Sequence, residues 1–170
     1  MESLADKVLI AFVSAIFGIV AAVLTPRFLD WRRRIKLHKD LIHELESIKT
    51  QIYMRHLAGA RSLQQLTHGL IDMSSNVRLS TPIFSNFYKD ICSDLNVFQR
   101  QSFEMIYNLI EHVDRLEQVQ FERIMDWSKN PEGRDINEMM QMAKAQYENI
   151  RVIDWHIGYH LRNQTSFWAI

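Results

Sequence analysis

The hydrophobic pattern changes character near the start of the chain. From Val8 to Pro26 the residues read VLIAFVSAIFGIVAAVLTP, with no ionisable side chain between Lys7 and Arg27. Nineteen helical residues at about 1.5 Å each cover about 28 Å, close to the ~30 Å hydrocarbon core of a bilayer. A soluble core helix keeps a polar stripe for water, and this segment is apolar on every face. The pattern predicts a membrane span. Pro26 is expected to kink or restart the helix below it, because Thr25 before it is biased away from α geometry.

Beyond Pro26 the apolar positions become periodic. Ile35, Leu41, Ile42, Leu45, Ile48, Ile52 and Leu57 recur at steps suited to a helix face, with charged residues between them. This helix is expected to reach Ile71, with weak points at Gly59 and Gly69. It would be about 60 Å long and coiled-coil-like in part, though its heptads are not strict. Asp72 to Thr81 reads as a loop. Thr81-Pro82 predicts the cap and first turn of a short helix running to about Cys92. Ser93 or Asp94 would cap the next helix, whose stripe is Leu95, Phe98, Phe103, Ile106, Leu109, Ile110, Val113, Leu116, Ile124 and Trp127. The run from Ser128 to Asp135 breaks it. Asp135 and Glu138 have capping-box spacing. Ile136, Met140, Ala143, Tyr147, Ile150, Ile153, Ile157 and Leu161 then form the last stripe.

The fold class is therefore all-α: one N-terminal transmembrane helix followed by an antiparallel helical bundle with long, partly coiled-coil-like helices. The expected organisation is an anchor over 1–26, a basic juxtamembrane helix start over 27–40, a cytoplasmic bundle over 41–162 and an aromatic tail over 163–170. With 5 Gly and 3 Pro, the chain has too few turn-formers for an all-β fold.

Charge gives the span a direction. The formal net charge is zero, yet Arg27, Arg32, Arg33, Arg34, Lys36 and Lys39 stand in one block with Asp30 as its only acid. Lys7 alone precedes the span. The positive-inside rule then places the N-terminus outside and everything after Arg27 in the cytoplasm, at the inner membrane if the cell is bacterial. Basic residues on the wrong side and a poor cleavage site argue against a removed signal peptide. Trp31, with Phe28, is placed as an interfacial anchor. The block suits anionic lipid headgroups, its nearest anions, and nucleic acid is not expected as a partner. Within the span, Ser14, Gly18 and Ala22 are spaced i, i+4, i+8, with Ala11 and Ala15 beside them. This spacing permits close helix packing in lipid.

Catalytic chemistry leaves no mark. His156 and His160 share a helix face, but no HExxH, Glu-x-x-His pair or thiolate cluster accompanies them, so no metal is expected. Phosphate loops and a Ser elbow are absent, and the lone Cys92 reads as structural. No catalytic residue and no cofactor is predicted. Met139, Met142, Phe167 and Trp168 are candidates for a partner surface. The chain is expected to be a non-enzymatic scaffold that forms a homo-oligomer, or holds a protein partner at the cytoplasmic face. Two alternatives stand beside it: a membrane-perturbing toxin or host-defence effector that assembles its spans, and an enzyme with an unmarked, His-metal site.

Overall fold

A computed structural model describes residues 4–71 and 78–163. All regular structure among them is helical. The α-helices are α1 (Leu4–Thr67), α2 (Pro82–Ile91), α3 (Val97–Lys129) and α4 (Ile136–Arg162), with 3-10 turns at Cys92–Asp94 and Pro131–Gly133. The chain divides into two compact units, Met1–Lys39 and Asp40–Ile170, with the boundary inside α1.

The first unit is the N-terminal part of α1. It is long and apolar enough to cross a membrane. All side chains from Phe12 to Arg33 are exposed, including Phe12, Phe17 and Ile19. The helix is continuous through Pro26, so it does not restart there. Proline has no N–H to give the Ala22 carbonyl, but the residues on each side are good enough helix formers to continue past that one lost bond.

The second unit buries what the helical period selects. Leu41, Leu45, Ile48 and Ile52 of α1 are buried, as are Phe103, Ile106, Ile110 and Val113 of α3 and Ile150, Ile153 and Ile157 of α4. Two expected core positions are exposed instead. Leu57 is five residues past Ile52, about 140° round the helix and away from the stripe. Phe98 stands in the first turn of α3 and is 77% exposed. A smaller cluster gathers Leu66, Trp127, Met139 and Ala143, with Ile136, Met140 and Met142 against it. Met139 is 2% exposed, so this candidate for a partner surface is a core residue, and Met142 packs with it. An unbranched thioether fits such an irregular gap between larger side chains.

The helix ends follow local chemistry, with three departures from expectation. First, α1 stops at Thr67, not Ile71. Gly69 has φ +72°, Gly69 N–H donates to Leu66 O and Leu70 N–H to Gln65 O, which is a Schellman ending. Second, Thr81 makes no side-chain cap bond to α2. Third, α3 is capped by Asn96, whose side chain accepts from Gln99 N–H while Asn96 N–H donates to the Gln99 side chain. Asp135 caps α4 as expected, accepting from Asn137 and Glu138 N–H. The Glu138 carboxylate turns to Arg123 at 3.3 Å, so only one half of that capping box is used.

Candidate functional site

The small residues that mark a packing face in the sequence lie on α1. Ser14, Ala15, Gly18 and Ala22 are all exposed, and a Cβ added at Gly18 would meet nothing within 4 Å. Ala11 belongs to the same helix, but its side chain is outside the described residues. The stripe is thus open along the helix, as close approach of a second helix requires.

The basic block follows on the same helix. At 100° per residue, Arg27, Arg32, Arg33, Arg34, Lys36 and Lys39 are spread round the helix as a collar and do not form one stripe. Arg34 Nε reaches Asp30 at 3.1 Å. Trp31 is 58% exposed and lies 5.8 Å from the Phe28 ring, over which the Arg32 guanidinium also sits. A cation over an exposed ring holds charge and aromatic surface at one level of the helix.

In the second unit, three polar groupings stand within or beside the periodic core. Glu44 is 7% exposed, between Leu41 and Ile48 in the buried stripe of α1. Its carboxylate accepts from Ile83 N–H at 2.6 Å, Phe84 N–H at 3.2 Å and Tyr107 O–H at 2.8 Å. It does for α2 what Thr81 does not: it meets the free N–H groups and the positive end of the helix. The Phe84 ring stacks on Tyr107, centroids 3.5 Å apart. Burial, with Glu44 beside it, pushes the Tyr107 phenol far above its ordinary range. Burial, then Glu104, also raises Tyr88, whose O–H donates to Arg100 O.

The second grouping is ionic. Arg55, 5% exposed, reaches Asp114 at 2.8 Å and Glu117 at 3.4 Å, and Arg78 approaches Asp114 at 3.6 Å. Both Glu44 and Arg55 are charged residues standing at core spacing, three or four residues from Leu41, Ile48 and Ile52. That misfit is the signal by which sequence alone could have found them.

The third grouping joins α3 to α4. Ser102 Oγ lies 2.7 Å from His156 Nδ1. His160, fully buried, stacks on Phe103 at 4.0 Å. Burial lowers the His156 pKa, and burial together with His156 lowers His160 to about 4. Neutral His156 at Ser102 has the distance of a base to a nucleophile. The α3 backbone around Ser102 spends its N–H groups on the helix, leaving none there to stabilise an oxyanion. Among the described residues no group of three or more His, Cys, Asp or Glu could hold a metal ion.

Phe167 and Trp168 lie outside the described residues. The residues singled out by sequence thus fall on separate elements: a small-residue face and collar on α1, and methionines in the second unit. No family model, curated protein or solved structure matches the chain.

Proposed function

We propose that this chain is a single-pass membrane anchor carrying a helical interaction module, which oligomerises or holds a protein partner at the cytoplasmic face. The observation that carries the reading is the N-terminal part of α1, where apolar side chains are exposed on all sides. In water a face of that size would aggregate, whereas in lipid it is solvated. The collar supports the orientation. Its cations surround the helix, as suits a plane of headgroups, whereas a nucleic-acid helix gathers them toward one groove. The open Ser14, Gly18 and Ala22 face supports pairing of spans.

The module is read as an antiparallel bundle. Ser102 meets His156 and Phe103 meets His160 near one end, whereas Gln120 meets Gln146 and Arg123 meets Glu138 near the other, so later residues of α3 face earlier residues of α4. A short connection over 130–135 suits such neighbours.

Extraction in mild detergent, followed by size measurement and partner identification, tests the reading. The protein is expected in the membrane fraction, resistant to carbonate, and as an oligomer or complex. A carbonate-soluble protein, or a strict monomer without partner, would overturn it. The same open face at Gly18 also suits an effector whose assembled spans perturb the bilayer. Rapid depolarisation on induced expression, lost when Gly18 and Ala22 become Ile, would favour that second reading.

A further inference from the structure

On α4, Val152, Trp155 and Tyr159 follow one another at steps of three and four, so they share a face. They are 41%, 62% and 36% exposed, while Ile153 and Ile157 on the opposite side are buried. Trp155 and Tyr159 hold their rings near parallel, centroids 6.3 Å apart. The face continues onto α3. The Ser102–His156 hydrogen bond sets the register between the two helices. Phe98 and Met105 stand four before and three after Ser102, as Val152 and Tyr159 stand about His156. Both are exposed. Aromatic side chains carry about 150–250 Å² each, so three of them with Met105 and Val152 make an apolar patch on the order of a few hundred Å². On a soluble surface a patch of that size marks an interaction site, and it matches the apolar centre of an interface burying about 800 Å² per partner.

The charges at its ends identify the occupant. Glu148 stands seven residues before Trp155, and Arg162 seven after it. Both are exposed and continue the stripe. Arg151 also stands on this face, between Glu148 and Trp155, so it reads acid, base, apolar, apolar, apolar, base, with Trp155 midway between the outer charges. Turned end for end, those outer charges are complementary, and Arg151 of each copy falls opposite Tyr159 of the other, a cation against a ring. An antiparallel pair sets Glu148 of each copy against Arg162 of the other, whereas a parallel pair sets like charge against like. In the single chain Glu148 pairs with Arg151 at 2.9 Å. That exposed pair contributes ~0–1 kcal/mol and is readily exchanged for another.

We propose that α4 pairs with α4 of a second copy of this chain, antiparallel and isologous, with Trp155 on the two-fold axis. A two-fold contact uses one patch twice, which is what a self-complementary face permits. The proposal deepens the oligomer reading above and rests on it, but it needs neither the span nor its small-residue face.

The test uses the full chain in mild detergent, with Cys92→Ser as background. Trp155→Cys is expected to give a disulfide-linked dimer under mild oxidation, because a residue on the axis brings its own copy within bonding range, about 7 Å between Cα atoms. Glu148→Cys and Arg162→Cys are each expected to stay unlinked alone, and to link when the two chains, differently tagged, are mixed. A second set keeps Trp155 intact. Glu148→Arg or Arg162→Glu alone should weaken dimerisation about tenfold or more, and the two together should restore it. Self-linking of Glu148→Cys would mean a parallel arrangement and overturn the proposal. An oligomer by size with no Trp155→Cys link and no rescue by the charge swap would overturn it too, leaving the oligomer reading in place. A monomer under every condition would overturn both.

Discussion

Glu44 illustrates how one side chain decides a local arrangement. A carboxylate in an apolar stripe is costly to bury unless donors meet it, and three do: two backbone N–H groups of α2 and the Tyr107 hydroxyl. Glu44→Ala would leave those donors unmet and is expected to destabilise the protein by about 3 kcal/mol. Tyr107→Phe removes one bond and keeps the stack on Phe84, so about 1 kcal/mol is expected. Chemical denaturation of the full chain in mild detergent measures both. Equal small effects would mean that α2 is held by its apolar side chains alone. His160 is the second decisive residue. Its folded pKa is about 4 against an ordinary 6.5, lowered by burial and then by His156. The folded state therefore binds fewer protons than the unfolded state between those values. The contribution is complete above pH 6.5 and is lost as pH falls toward 4, by up to about 3 kcal/mol. His156, lowered in the same direction, adds to the same slope. Stability measured from pH 7 to 4.5 should fall more steeply in the wild type than in His160→Leu. Parallel curves would show that His160 protonates without opposing the fold.

Among the helices, the ends are less legible in the sequence than the middles. Periodicity locates α3 and α4 because a helix buries every third or fourth residue whatever it packs against, while Thr81-Pro82 marks where α2 starts. Ends depend on which of several suitable residues wins. Ser93, Asp94 and Asn96 all have side chains that cap, and only Asn96 has Gln99 three residues on to complete the reciprocal pair. The end of α1 is fixed by a residue with no side chain. Gly69 takes φ +72°, and an added Cβ would meet only Ile136 Cδ1, at 4.0 Å. Space is thus available, and the cost of Gly69→Ala is conformational, about 1–2 kcal/mol. Gly69→Asn should recover part of it, because Asn tolerates that region better. A loss in Gly69→Ala no greater than in an exposed mid-helix alanine substitution would show that the turn is not held left-handed.

Across the chain as a whole, charge and apolar surface are distributed in a way that suits a membrane protein. The six cations between Arg27 and Lys39 follow directly on the apolar stretch, and the part of the chain beyond them carries more acid than base. Under the proposed orientation, neutralising the collar to Gln and placing Lys residues before Val8 is expected to reverse the insertion, because orientation follows the Lys and Arg balance across a span. Cysteines placed near each end of the span, in a Cys92→Ser background, report this by their access to an impermeant alkylating reagent. Unchanged labelling would show that the collar does not set the orientation.

Local sequence is enough to specify the apolar N-terminal helix, the helical class and most of the buried stripe. Each follows from neighbours within one or two turns, so no knowledge of the rest of the chain is needed. The exceptions to the pattern are another matter. Glu44 and Arg55 look like misplaced charges until Ile83, Tyr107 and Asp114 come within reach from 39 to 63 positions away. Leu57 and Phe98 look like core until burial shows them outside, and Met139 looks available until it is found with Trp127 and Leu66 in one buried cluster. Leu57 is off the stripe of its own helix, and packing between helices settles the other cases. A side chain's environment is set by what other helices bring to it, and one helical turn of displacement exchanges a partner for solvent.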